Sequence, residues 1–435
     1  MTGATWHLSG RADHGDVRRA NLALVVRVLR SGPRTRAGLA HDTTLTKATV
    51  SSLVGELVDR GLVRESGPAT AGAVGRPGQQ VALVGERVVG VGLEINVDYL
   101  AAIALDVRGD TRVALRQTHD PSAQVEQTVD QAARLVADVV ERALVRGASL
   151  LAGVGVAAPG LVDVASGVVR VAPNLGWRDV PLRDLLLRRL DPHPWDAVAI
   201  PHARASRPLQ LLVDNEANLA TLAEYATSDT ADRDLVYVTG GVGVGGGIVV
   251  NGHVVRGHAG FAGEVGHLPV DPAGERCGCG RRGCWETTCG LEALLRLAAD
   301  PDDIVRDHDR DLDERLDLLL DRARSGDTRT LQAFDRVGRA LGHGASMLVN
   351  LVNPRVLVLG GYFARLGEFL LPLVEDELAS RVVAPDLGGC RVTLSRLGLA
   401  AAATGAAYAA LQPVLDDPTV VPIVRASPVP EKETQ

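Results

Sequence analysis

The chain has 435 residues, 46% of them hydrophobic and 23% charged, enough to bury more than one core, and its length sets an expectation of about two to three domains. The first fifteen residues, MTGATWHLSGRADHG, lack the apolar run of a secretory signal, and no charge-free stretch approaches membrane-spanning length, so a cytoplasmic protein without a membrane partner is expected. Five cysteines, an odd number, argue against a disulfide framework and for metal binding. The net charge of -7 is uneven: residues 1–85 hold eleven Lys and Arg against six Asp and Glu, so a basic segment precedes an acidic body.

Residues 1–16 read as a flexible lead, and 17–85 as one module. Leu22, Val25, Val26 and Leu29 recur at helical spacing and form one apolar stripe. Ser31–Pro33 breaks this helix, and Thr35 can cap a short second one. After a turn at Thr43–Leu45, Thr46 is a fitting N-cap for a third helix whose apolar stripe is Val50, Leu53, Val54 and Leu57, with Gly61 at its end. Two helices joined by a tight turn form a helix-turn-helix. Opposite the stripe stand Thr46, Lys47, Ala48, Thr49, Ser51 and Ser52, short polar residues crowded toward the N-terminus. They suit either a major-groove recognition helix or an ordinary solvated face. Leu62–Arg64 and Gln80–Leu83 can pair as strands around a Gly/Pro-rich loop with Arg76 at its tip, a wing able to reach a minor groove.

From residue 86 the pattern becomes alternating strand and helix. "VVGVGLEINVDYLAAIALDVRGD" precedes an amphipathic helix at about Ser122–Arg146 and a buried strand, "LLAGVGVAAPG". "LQLLVD", "DLVYVTGGVGVGGGIVV" and "PRVLVLGGYF" repeat the theme, which argues for an α/β body with ligands at the carboxyl ends of strands. Residues 300–330, rich in Asp and Arg, read as a solvated helical region. The tail 416–435 reads as poorly ordered.

The most specific local signal is "HLPVDPAGERCGCGRRGCWE". Cys277, Cys279 and Cys284, with His267 ten residues earlier, supply the ligand count and type of a closed tetrahedral zinc site. Three thiolates and an imidazole leave no open position, so the metal would be structural.

These segments resemble the ROK family, named for repressors, open reading frames and kinases. The N-terminal likeness covers about Asn21 to Leu83, with "LTKATVSSLVGELVDRGLV" and "GRPG"; it departs at Thr44, where the family usually has glycine. The body likeness runs to about Leu411 and is strongest in "GFAGEVGHLPVDPAGERCGCGRRGCWE". The resemblance implies a winged helix-turn-helix followed by a two-lobed actin-like, ribonuclease H-like, ATPase-type fold. Its small lobe is expected at about 86–213 plus the C-terminal helix, and its large lobe at about 214–395, within a sugar-binding domain of 86–415. It also implies a monosaccharide site made by Asn174, Asn215, Glu216, Glu264, His267 and Glu286, with structural Zn2+ on His267, Cys277, Cys279 and Cys284. Operator DNA, read by Thr46, Lys47, Ala48, Thr49, Ser51, Ser52 and Arg76, and a homodimer are the further partners implied.

Kinases of this family place an aspartate after the second asparagine to deprotonate the attacking hydroxyl; this chain has Glu216. A Gly-Gly-Thr phosphate turn is replaced within Glu94–Asp98, where Asp98 opposes phosphate, and Val242 stands where a hydroxyl-bearing threonine is usual. The base position is thus degenerate, and a sugar-responsive repressor of carbohydrate-utilisation genes, near the xylose-type repressors, is expected over an ATP-dependent sugar kinase.

Overall fold

The computed structural model describes residues 14–68, 79–120, 122–190, 198, 209–228, 233–258, 260–383 and 389–424. The N-terminal module contains α1 (His14–Arg30), β1 (Arg34–Thr35), α2 (Arg36–Thr43), α3 (Lys47–Asp59), β2 (Val63–Pro68) and β3 (Gln79–Leu83). Residues 14–16, expected as part of a flexible lead, are helical, with Asp16 in the first turn of α1 beside the positive end of the helix dipole. Thr35 Oγ1 accepts from the Gly38 amide (3.0 Å) and Thr46 Oγ1 from the Thr49 amide (3.1 Å), so each of the two later helices begins with a side-chain cap. The apolar stripes of α1 and α3 are buried against each other and against Val81 and Leu83 of β3, which pairs antiparallel with both β2 and β1.

The first lobe of the body holds β4 (Val88–Ile95), β5 (Tyr99–Asp106), β6 (Thr111–Thr118), α4 (Val125–Val145), β7 (Leu150–Ala158), β8 (Leu161–Asp163), β9 (Val168–Ala172), β10 (Trp177–Val180), α5 (Leu182–Leu190) and β11 (Leu211–Asn215). The second begins with α6 (Glu216–Thr227), β12 (Leu235–Gly240), β13 (Val244–Val250), β14 (His253–Val254), α7 (Glu286–Cys289) and α8 (Leu291–Ala298). It continues with α9 (Leu312–Arg324), α10 (Thr328–Val352), β15 (Val356–Gly361), α11 (Tyr362–Arg365), α12 (Gly367–Arg381) and β16 (Arg391–Leu394), and α13 (Ala401–Asp416) closes the chain. Among the described residues each lobe has a five-stranded sheet of the same topology, an antiparallel meander extended by two parallel strands: β6-β5-β4-β7-β11 in one and β14-β13-β12-β15-β16 in the other. This repeated order is the actin-like arrangement, with the cleft at the carboxyl ends of both sheets.

Helix α13 is the shared wall. A Cβ at Gly92 of β4 would drive into the Ala403 carbonyl, and one at Gly405 into the Leu219 carbonyl of α6, so glycine lets three backbones approach where any side chain would separate them. The helix also joins the core shared with the module: Ala403, Ala407, Leu411, Val414 and Leu415 cluster with Leu22, Val25 and Leu29 of α1 and with Leu105 of β5. Gly398–Asp416 is long and apolar enough to cross a membrane, contrary to the sequence expectation, but it owes its composition to this burial inside the fold.

Two further expectations are corrected. Residues 416–424 do not hang free, because Arg60 of the module donates to the carbonyls of Thr419 (2.8 Å) and Val421 (2.6 Å), the Val424 amide donates to Asp59 (2.8 Å), and Val421 is buried. The expectation of a poorly ordered tail otherwise lies outside the described residues. Within 300–330, Leu312, Leu316, Leu319 and Leu320 of α9 are core residues of the large lobe; only the other face of that helix is solvated.

Thr44, at the end of α2, has φ 58° and ψ 17°. A β-branched residue is strained there, by about 1–2 kcal/mol. Thr44→Gly is therefore expected to raise stability by about 1 kcal/mol, net of the added unfolded-chain entropy, as read from the denaturation midpoint.

Candidate functional site

The cleft between the lobes is floored by strand ends. β4 delivers Glu94, β7 leads into Pro159-Gly160, β11 ends at Asn215, β12, its turn and the start of β13 supply Thr239 to Gly246, and β15 supplies Gly361. Asn215 caps α6, its Oδ1 accepting from the amides of Ala217 (2.9 Å) and Asn218 (3.2 Å) while its Nδ2 donates to Gly160 (2.9 Å). The side chain is thus already committed to joining two strand ends, with one N–H left for a ligand. Glu216 follows as the first helical residue and lines the cleft. Asn174, in the short 3-10 turn Pro173–Leu175, is exposed at its rim. Asp214, which the sequence did not single out, is buried, accepts from the Asn215 amide (2.8 Å) and pairs with Arg256 (2.6 Å), fixing the strand end that carries Asn215 and Glu216.

The cysteine loop folds over the other side. Its turn closes on backbone bonds from Cys277 to Arg281 (2.8 Å) and Gly280 to Cys277 (2.9 Å), and the Cys279 amide donates to the Cys277 sulfur (3.3 Å). Fully buried Trp285 anchors it, with Nε1 donating to Ala340 of α10 (2.8 Å). The donor atoms of His267, Cys277, Cys279 and Cys284 all lie within 4.8 Å of one another. A tetrahedral ion with bonds of about 2.3 Å spaces neighbouring sulfurs by about 3.8 Å. Cys279 Sγ and Cys284 Sγ are 3.6 Å apart, and Cys277 Sγ lies 3.7 Å from His267 Nδ1. The residues therefore fit a four-coordinate metal. The Cys277 thiol donates to Glu286 Oε1 (2.8 Å), and His267 Nε2 faces Glu264 at 4.0 Å, so the same cluster adjoins two of the expected sugar acids.

Acid chemistry dominates the cleft. Burial pushes Glu94 up to about 7, moderated by donation from Tyr99 (2.8 Å) and Asn96 (3.2 Å), and by the Ala403 amide and the charge of Arg116. Glu216 is pushed up to about 8, first by burial and then by the charges of Glu94 and Glu264. Both groups thus bind protons in the folded state at pH values where the unfolded chain has released them. Their contribution to stability is full below about 4.5 and is lost as pH rises through about 7 to 8. Glu216→Gln removes one such cost. The thermal midpoint of the variant should match that of the parent near pH 5 and exceed it increasingly toward pH 8, measured without ligand.

A ROK family model matches residues 90–413. A xylose repressor of Bacillus spizizenii is 30% identical over 413 residues, 93% of this chain and 98% of that protein. The chain belongs to the ROK family. Among solved structures, a ROK glucokinase from Streptomyces griseus with glucose and AMPPNP has TM-score 0.62 and 28% identity, covering 74% of this chain and 99% of that one. A ROK transcriptional regulator homologous to the Escherichia coli MLC protein has TM-score 0.69 and 20% identity, covering 92% of this chain and 97% of that one. The repressor match takes in the N-terminal module; the glucokinase's three-quarter coverage is the share expected of the body alone.

The segment Glu94–Asp98 is held by its own bonds. Asn96 donates to Glu94 and accepts from the Asp98 amide (3.3 Å), and Asp98 lies 3.8 Å from His308 of the opposite lobe. Beside it Arg116 of β6 stacks 4.6 Å over Tyr99 and bridges to Asp311 (2.7 Å) and Asp313 (2.9 Å) at the start of α9, a clasp between lobes that sequence reading missed. On α3, Thr46, Lys47, Ala48, Ser51 and Ser52 are exposed; Thr49 is half-buried, its hydroxyl 2.8 Å from that of Thr46. Arg76 lies outside the described residues. Arg18, Arg34, Arg36 and Arg60 are paired with acids of the same module, so the positive surface available to a partner is smaller than the charge count implies.

Replacing Cys279 by Ser should lower the bound-metal content, read by elemental analysis, to a small fraction of the parent's. The thermal midpoint should fall with it.

Proposed function

We propose that this chain is a sugar-responsive repressor of carbohydrate-utilisation genes that binds operator DNA through α3 and the wing and takes a monosaccharide in the cleft, without significant kinase activity. The observation that carries this reading is the continuity of α13, which walls the cleft at Ala401 and Ala402 and is part of the winged-helix core from Ala403 onward. Ligand-dependent movement of one lobe against the other would displace a helix that the DNA-binding module cannot ignore. The likeness of nearly the whole chain to a xylose repressor supports the same assignment.

Asn174, Asn215, Glu216, Glu264, His267 and Glu286 would hold the sugar, their acids accepting from its hydroxyls. Zn2+ on His267, Cys277, Cys279 and Cys284 would cross-link the loop and hold the His267 ring so that Nε2 faces the cleft. With the Cys277 sulfur held as thiolate, its donation to Glu286 would end and release that carboxylate toward the ligand. Two chains on a pseudo-palindromic operator would set the half-site spacing, and sugar binding would alter that spacing. Since coupling is reciprocal, DNA would change sugar affinity by the same factor.

A kinase reading draws on the S. griseus glucokinase, but here Glu216 projects one methylene further than the usual aspartate and Asp98 stands at the phosphate turn. Misplacing a base by about an ångström costs about a hundredfold in rate. With ATP and magnesium, turnover of common aldoses should be undetectable, and Glu216→Asp should not restore it. In fluorescence anisotropy with labelled promoter DNA, the inducing sugar should shift the midpoint by about tenfold or more, and Lys47→Ala should weaken DNA binding in its absence. Robust sugar phosphorylation, or DNA binding indifferent to every sugar bound, would overturn the proposal.

A further inference from the structure

Among the described residues, the wall of the cleft carries the carboxylates of Glu94, Asp98, Glu216, Glu264 and Glu286 and not one Lys or Arg. The guanidinium of Arg116, over the Tyr99 ring beside Glu94, is paired with Asp311 and Asp313. Glu94 stands apart within this group. It is 3% exposed, and its Oε1 is held by Tyr99 and Asn96, yet its Oε2 has no hydrogen-bond partner. The nearby Ala403 amide favours its charged form without closing a bond to that oxygen. A buried carboxylate oxygen with nothing to accept is costly, and a ligand hydroxyl removes the cost. Glu94 lines the cleft with Asn96, Asp98 and Tyr99, at the end of β4.

We infer that Glu94 is an effector-binding residue whose free oxygen takes a hydroxyl of an uncharged sugar, and that with Glu216 it makes the cleft refuse sugars carrying a phosphate or carboxylate group. The inference rests on the sugar-binding reading above and narrows it to unphosphorylated ligands. A phosphate ester placed between these acids finds no lysine or arginine to pair with and, above about pH 8 where both Glu94 and Glu216 are ionised, meets like charge on more than one side, whereas a neutral polyol offers each acid a hydroxyl.

The test uses the full zinc-loaded chain, the parent and Glu94→Gln, with D-xylose, D-glucose and N-acetyl-D-glucosamine each beside its phosphate ester, followed by calorimetry and thermal denaturation. The parent should bind at least one neutral sugar and bind its phosphate ester at least about a hundredfold more weakly. Measured at pH 8.5, where Glu94 is ionised, Glu94→Gln should bind the neutral sugar about ten- to a hundredfold more weakly, the range for losing a hydrogen bond to a charged acceptor. Without ligand it should melt no lower than the parent, because a buried acid has been removed. Should the glutamine variant fail to fold, Glu94→Asp keeps the charge but withdraws the oxygen, and should weaken the sugar while still refusing the ester. Equal sugar affinity in parent and variant overturns this inference and leaves the sugar reading standing; no binding of any neutral sugar by the parent overturns that reading itself. An ester bound as tightly as its parent sugar, a ligand-free variant that melts markedly lower, or stabilisation by magnesium alone that vanishes in Glu94→Gln would each overturn the assignment of Glu94.

Discussion

Close backbone contact along α13 is the constraint on which the molecule depends. The helix lies against β4 at Gly92 and against α6 at Gly405, and a methyl group at either position would force the elements apart. Contact of this kind has little give, because packed interiors respond to displacement by moving whole elements rather than compressing. α6 begins at Glu216 and β4 carries Glu94 as its penultimate residue, so both cleft acids sit on elements locked to α13. The remainder of α13 is core for α1 and the wing strands, and the segment after it is tied to Arg60. The cleft and the module therefore share one structural member.

The cleft is built from groups that water would have solvated better. Glu94 and Glu216 are desolvated near one another, and the fold keeps them there with capped strand ends and a buried Asp214–Arg256 pair. Such an arrangement lowers the stability of the empty protein, which is the usual cost of a preorganised polar site. A ligand that donates hydrogen bonds to both acids would recover part of that cost, and this difference between empty and filled states is what can be coupled to a second equilibrium.

What could be read from the sequence follows the range of the interactions involved. The stripes of α1 and α3, the caps at Thr35 and Thr46 and the spacing of His267, Cys277, Cys279 and Cys284 are local patterns, and each has the geometry its spacing dictates. The division of 300–330 into a buried and a solvated face was hidden because its Asp and Arg residues dominate composition while four leucines do the packing. Arg116 meets Asp311 from nearly two hundred positions away, a contact no window of sequence contains. Glu94 was not singled out for a different reason: measured against a phosphate-binding turn it is only part of a changed motif, and its unpartnered oxygen exists only once Tyr99 and Asn96 have taken the other.

The interlobe contacts bear on how a two-lobed cleft can report to a second module. Such a protein must keep its lobes from moving independently of ligand. The clasp of Arg116 on Asp311 and Asp313, and Asp98 opposite His308, put interlobe contacts beside the mouth of the cleft at Asp98 and Tyr99. These ion pairs are partly exposed, each worth about 1 kcal/mol or less. They are weak enough to be remade when the cleft closes on a ligand and numerous enough to bias the lobes when it is empty. A coupling of 1–3 kcal/mol, the range of most allosteric proteins, requires no stronger clasp than this.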